Sequence, residues 1–330
     1  MSLANRDRAS HRRDFLLAGA ALAATVTAPL PASAQSRVWT PSRQVTLIVP
    51  FSPGGSADLT ARTLAPKLSE LWGQPVVVEN RAGASSAIGT NLVARAPGDG
   101  TSLLVTANGI LLTPYLIKSL PYNLEKDLVP VGSLAFASML LVSSTNTPDK
   151  SLREFVAAGG ARSIGYSDGF SQLIATRLAV TTGKKFVLVP YKGAGPLVND
   201  LYGGQVNAGL VSVLAGNNLL KSGKVNAIAV LADDRSKLLP EVPTSSEQGI
   251  KGMTTPLWIA VFASGTTPPA VQQQINADLR TALADPAVRA NLSKSGADLS
   301  TEDLDQFRRR YLAEMEETKG FVKHANFVAE

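Results

Sequence analysis

Cysteine is absent from all 330 residues, so the chain has no disulfide framework, no thiolate nucleophile and no cysteine-based metal site. Histidine is almost as scarce: His11 lies near the N-terminus and His324 near the C-terminus. A Ser-His-Asp triad or a multi-histidine zinc site therefore has no parts in the body of the chain, unless His324 serves. No Gly-Lys-Ser/Thr follows the glycine pair of "SPGGSAD", which excludes a Walker loop, and a dinucleotide fingerprint lacks its third glycine. The one tight basic cluster, Arg308-Arg309-Arg310, sits in an acidic, helix-like segment without interleaved aromatics, and reads as a solvated helix face. Long apolar runs are also missing from the body. The uncharged stretch 128–148 is long enough to cross a bilayer, but Pro130, Gly132 and its hydroxyl residues suit a long buried strand passing between domains.

What is present describes a soluble globular protein, with 45% hydrophobic and 18% charged residues and length for two cores. The first 34 residues read as an export signal. They hold a basic start, an apolar stretch from Phe15 to Ala28, and a small-residue cleavage site at Ala32-Ser33-Ala34. Arg12-Arg13 before Asp14-Phe15-Leu16 matches the twin-arginine pattern, with His11 and Leu17 departing from it; the alternative is a general secretory signal. Either route delivers the chain to the periplasm, with cleavage near Ala34. Loss of four arginines and two aspartates with this segment takes the net charge from +6 to +4.

Beyond it, short apolar runs alternate with segments of helical period. "VTLIVPF", "PVVVENRAG" and "TSLLVTANG" are strands of βα units, and the rhythm restarts with "SIGYSDG", "KFVLVPYKG", "NAGLVSV" and "VNAIAVLAD". A Pro/Ser/Gly-rich linker follows, then the strand "LWIAVFASG" and two helices near 268–284 and 302–324. The expected fold is α/β with two lobes, each a mostly parallel sheet flanked by helices. The lobes are 38–137 with 251–330, and 138–250, joined by crossings near 134–142 and 234–257.

In open α/β sheets ligands bind beyond the carboxyl ends of strands. The loops after the strands, Phe51–Asp58, Ala107–Ile110, Tyr166–Ser171 and Tyr191–Gly195, lie there. "SPGGSAD" is either a turn with an N-cap or an anion seat, because glycines expose N–H groups and a following helix adds unpaired donors. "GYSDGFSQ" offers the same two readings. Asp58 could simply stabilise the first helical turn. Lys192 in "VPYKG" reads as a solvated loop lysine rather than a Schiff-base former, and Trp258 and Phe51 either line a pocket or fill the hinge core. No cofactor or metal is required.

The stretch from "VTLIVPFSPGGSADLTARTLAPKLSELWG" through "GDGTSLLV" resembles the Bug family, the periplasmic receptors of tripartite tricarboxylate transporters. So do "VPYKGAGPLVNDLYGGQVNAGL", "LLPEVPTSSEQG" and "PLWIAVFASGTTPPAVQQQINADLRTALADPAVRANL". The resemblance covers about residues 38–325. It implies a type II periplasmic-binding-protein fold that closes on a small organic acid and hands it to integral membrane carrier subunits. The binding residues it implies are Phe51, Ser52, Gly54, Gly55 and Asp58 on one lobe, with Ala107 and Asn108 beside them. Facing them are Tyr166, Ser167, Asp168 and Gly169, with Tyr191 and Lys192 nearby. The second-lobe loop departs from the family pattern by carrying Asp168, which suggests that Asp168 reads a cationic or hydroxyl group on the ligand. Nucleic acid is not an expected partner, and the chain is expected to be a monomer without enzymatic activity. Two other functions compete: a binding protein presenting ligand to a membrane sensor, and an exported carboxylate-dependent hydrolase.

Overall fold

The computed structural model describes residues 37–254 and 256–325; the expected export signal at 1–34 lies outside them, as does the side chain of His324. The first apolar run forms β1 (Val45–Val49), followed by α1 (Ser56–Trp72) and β2 (Val76–Asn80), which pairs with β1 in parallel. Ala57, Ala61, Leu64, Leu68 and Trp72 recur at helical spacing and form the buried stripe of α1. The helix stops at Gly73, whose φ of 64° suits a residue without a Cβ. Next come α2 (Ala87–Ala94) and β3 (Ser102–Ala107), which lies parallel to β1 on its other side. After α3 (Thr113–Leu116), β4 (Leu128–Ala137) and β5 (Met139–Ser144) are separated by Ser138 alone, yet they belong to different sheets.

The second set of units follows as α4 (Leu152–Ala158), β6 (Ser163–Tyr166), α5 (Gly169–Thr182), β7 (Val187–Pro190) and α6 (Ala194–Gly203). It continues with β8 (Ala208–Ser212), α7 (Val213–Leu220) and β9 (Val225–Leu231). The chain then returns in β10 (Leu257–Ser264) and ends with α8 (Pro269–Ala284), α9 (Pro286–Lys294), β11 (Asp298–Leu299) and α10 (Leu304–Ala325). The described residues form a six-stranded sheet ordered β11-β4-β10-β3-β1-β2 and a five-stranded sheet ordered β7-β6-β8-β5-β9.

Each sheet contains a parallel trio, β2-β1-β3 or β7-β6-β8, and then a strand that arrived from the other sheet. Those arrivals, β10 and β5, run antiparallel to their neighbours. The sheets are therefore more mixed than the sequence rhythm implied. A strand entering by a crossing has no βα unit to turn it parallel. β2 and β7 are sheet edges and only partly covered, unlike the fully buried β10.

Two expectations need correction. The C-terminal part is not two helices: Asp285 accepts from the amides of Ala287 and Val288 and Pro286 starts a new helix, so α9 and β11 intervene before α10. Nor is Arg308-Arg309-Arg310 a wholly solvated face. Arg310 pairs bidentately with Glu302 (2.7 and 2.8 Å) and with Glu314 (2.9 Å), and its guanidinium lies 4.7 Å from the Phe136 ring centroid. Of the two readings of Trp258, pocket lining or core, the core one holds. It is fully buried among Phe262, Phe307 and Tyr311 and donates to Glu314 at 2.5 Å.

Candidate functional site

Four helices begin at the cleft between the sheets, and they differ in what meets their first-turn amides. α1 is preceded by Gly55 (φ −79°, ψ 171°), which has no side chain to accept from Ser56, Ala57 or Asp58. α6 is preceded by Gly193, whose φ of 148° and ψ of 174° are a conformation reserved to glycine. It is likewise without a side-chain cap. α5 is closed by its own sequence. Asp168 accepts from the Ser171 amide at 2.8 Å while the Ser171 hydroxyl accepts from the Asp168 amide, a capping box. α7 is closed by Ser212, whose hydroxyl accepts from the Ala215 amide at 3.1 Å. Two helix ends, one from each sheet, thus keep donors for something else.

These open ends line one small chamber, through Gly55, Ser56 and Ala57 on one side and Gly193 and Ala194 on the other. Its apolar wall includes Met139, Leu210, Val211 and Leu257. A second, larger chamber shares Phe51, Ser167 and Asp168 with the first. It adds Tyr166, Gln172, Tyr191 and Lys192 from the β6–β7 side and the loop Gly83–Ser86 from the other. In that loop three non-glycine residues in a row have positive φ, Ala84 (44°), Ser85 (47°) and Ser86 (76°), a strained wall for an open space. The lobes touch at the cleft: the Ser56 and Ser212 hydroxyls are hydrogen-bonded, and Ser52 Oγ donates to the Lys192 carbonyl at 3.1 Å.

Of the residues implied by resemblance, Phe51, Gly55, Asp58, Ala107, Ser167 and Asp168 line the first chamber, while Tyr166, Tyr191 and Lys192 line the second. Ser52 lies at the lobe seam, as its bond to Lys192 shows. Gly54 and Asp58 serve each other. The buried Asp58 carboxylate accepts from the Gly54 amide (2.9 Å), Arg62 (3.0 Å) and Asn80 (2.9 Å), holding the loop in shape. Burial pushes its pKa up, but the donors from Arg62, Gly54 and Asn80 outweigh that and hold it below 3.8.

The anion-seat reading of "GYSDGFSQ" is corrected, since Asp168 fills that helix end itself and Gly169 packs against Gly109. Asn108 lies outside both chambers, in a separate groove with Leu111 and Phe170, and donates to the Pro256 carbonyl at 3.2 Å. Tyr191 donates to Asp200 at 2.8 Å; burial and that carboxylate push its hydroxyl up to about 12. Ser56, Ala57, Gly193 and Ala194 lie in loops expected at the cleft but were not singled out as binding residues, and Ser212 lies outside those loops. "YKGAGP" carried a signal, a glycine placed directly before a helix as in "SPGGSAD", whereas nothing local marked Ser212.

Among the described residues no three His, Cys, Asp or Glu side chains gather as metal ligands, and no helix is long and apolar enough to cross a membrane. The chemistry on offer is donation of amide N–H groups to an acceptor, most strongly to an anion.

Comparison with known proteins identifies the family and the fold. Residues 60–327 match the model of the tripartite tricarboxylate transporter family receptor. Protein BugT of Bordetella pertussis is 35% identical over 291 residues, covering 86% of this chain and 89% of BugT. A protein from the tcbD-tcbE intergenic region of Pseudomonas sp. strain P51 is 35% identical over 304 residues, 88% of each chain. Among solved structures, the periplasmic binding protein BugD has a TM-score of 0.82 at 30% identity, covering 88% of this chain and 100% of BugD. Rpa4515 of R. palustris, solved with adipate, has a TM-score of 0.83 at 30% identity, covering 88% and 99%.

Proposed function

The chain belongs to the tripartite tricarboxylate transporter family of receptors, the Bug proteins, and from that membership and the cleft's geometry we propose that it captures a small organic carboxylate between its lobes. The observation that carries this reading is the pair of glycine-led, uncapped helix starts, one from each sheet, lining one chamber. Each hydrogen bond from an amide to a carboxylate is worth ~1.5–3 kcal/mol. Four of them reach the roughly 8 kcal/mol of micromolar binding after ordering costs. Rpa4515 with adipate and MatC of Rhodopseudomonas palustris with malate are acid-bound structures of similar chains.

Residues 38–137 with 251–330 act as one lobe and 138–250 as the other, hinging about the two crossings. A ligand touching both α1 and α6 binds the closed arrangement better and shifts the population toward it. The receptor works in the periplasm after removal of the leader and delivers its acid to the integral subunits of a tripartite carrier. It is a binding protein and not an enzyme.

Gly55→Asp tests the carrying observation. Gly55 has ordinary extended φ and ψ, and a Cβ there would lie 4.0 Å from Ala194, so an aspartate fits. It would cap α1 as Asp168 caps α5, adding about a few tenths of a kcal/mol of stability. The expected result is a melting temperature without ligand at or slightly above that of the wild type, and no rise with any organic acid that stabilises the wild type. Acid binding that survives in Gly55→Asp would remove the α1 amides from the site.

A further inference from the structure

Asp168 stands where the two chambers meet and lines both, together with Phe51 and Ser167. Among the described residues, every hydrogen bond to its carboxylate comes from the first turn of α5, from Ser171 and the Phe170 amide. None comes from the cleft. An ionised carboxylate is an acceptor only. Asp168 is half-buried, and burial raises its pKa above 3.8 in spite of the Ser171 and Phe170 donors, so its charge is only partly solvated where the cleft begins. The adjoining chamber is built to receive an anion, and two carboxylates brought close with no donor between them repel. The other charged groups of the two chambers leave this conflict standing. Asp58 is itself acidic and tied to Arg62, and Lys192 is exposed in the second chamber.

We propose that Asp168 is a specificity-determining residue that accepts a hydrogen bond from a hydroxyl or ammonium group flanking the ligand's carboxylate. The receptor then takes hydroxy- or amino-substituted acids in preference to plain ones. This rests on the carboxylate-receptor reading above and narrows its substrate class. The ligand presents an acceptor to the α1 and α6 amides and a donor to Asp168, and its remaining body extends past Phe51 into the second chamber. A plain acid must leave Asp168 facing its charge, or bind only with Asp168 protonated.

Calorimetric titration of the purified protein at pH 7.5 with matched acids tests the assignment. The probes are succinate against malate, butyrate against 3-hydroxybutyrate, and succinate against aspartate, which separates the ammonium from the hydroxyl. The donor-bearing acid of at least one pair is expected to bind about ten- to a hundredfold tighter. In Asp168→Asn that preference is expected to fall to about threefold or less, because asparagine presents both a donor and an acceptor. Asparagine caps helices as well as aspartate does, so the α5 start is retained. Should the variant not fold, the wild type still decides: plain acids that bind as tightly as their substituted partners overturn the proposal. A preference that persists unchanged in Asp168→Asn overturns it too. Failure of all five acids to bind sinks the carboxylate reading and this one with it, whereas binding without preference removes only the role of Asp168.

Discussion

Replacing Gly193 by alanine separates closure of the cleft from stability of the fold. An added Cβ would lie 2.6 Å from Ser52 Cβ, 2.8 Å from Ser52 Oγ and 2.9 Å from the Ser52 amide nitrogen, all on the opposing lobe. Carbon atoms pack best about 3.5–4.0 Å apart, so the two loops must separate by about 1 Å. Such overpacking costs about 1–3 kcal/mol. The separation also stretches the 3.1 Å hydrogen bond from Ser52 to the Lys192 carbonyl, worth about 0.5–1.5 kcal/mol. Together these penalise the closed arrangement by about 2–4 kcal/mol, a loss of ligand affinity of roughly thirty- to a thousandfold. The φ of 148° adds strain of about 1–3 kcal/mol, but it is present whether the lobes are apart or together. Strain therefore lowers the melting temperature, and the collision lowers affinity. Calorimetric titration with an acid found by thermal shift, beside urea unfolding without ligand, reads the two separately. Ser52→Gly in the same chain removes two of the three close contacts and should restore part of the affinity without restoring stability. If Gly193→Ala unfolds more easily yet binds its acid as tightly as the wild type, the lobes do not meet here when ligand is bound and the closure argument fails.

Arg310→Leu should lower unfolding free energy by about 1–3 kcal/mol, since it leaves the half-buried Glu302 and Glu314 without their cation; the range is discounted for partial exposure of the pair. Urea midpoints would show it, and a smaller loss in a Glu314→Gln background would confirm that stranded charge is the cause. Asp58 makes the loop before α1 acid-sensitive. Its folded pKa lies below 3.8, so the stability it supplies is present above the ordinary carboxylate range and drains away as pH falls through the folded value. Asp58→Asn should accordingly be less stable than wild type at neutral pH, with the gap narrowing as the medium is acidified. A gap that widens on acidification would reverse the sign of the argument.

The βα rhythm, the place of the loops beyond the strand ends and the passage of 128–148 between sheets are all visible in local composition. Strand burial and glycine placement are short-range properties of the chain. The family, too, could be recognised from segments that keep their order along the chain. Half of the site could be found this way, because "SPGGSAD" places its glycines directly before a helix. The "DGFS" stretch is as local, since an aspartate three residues before a serine at a helix start is itself a capping pattern that closes α5.

Ser212, the Ser52–Lys192 seam, the exclusion of Asn108 and the docking of Arg310 on Ser133 were beyond such reasoning. The residues that meet there are separated by 156, 140, 148 and 177 positions. The order of strands in two sheets sets which of them meet, along with the approach of one lobe to the other. The chain's local chemistry determined which helices could offer amides to an anion. Only the assembled sheets decided that the two left open, one from each lobe, line the same space, because side-chain capping is a contact over a few residues while opposition across a cleft is a property of the whole fold.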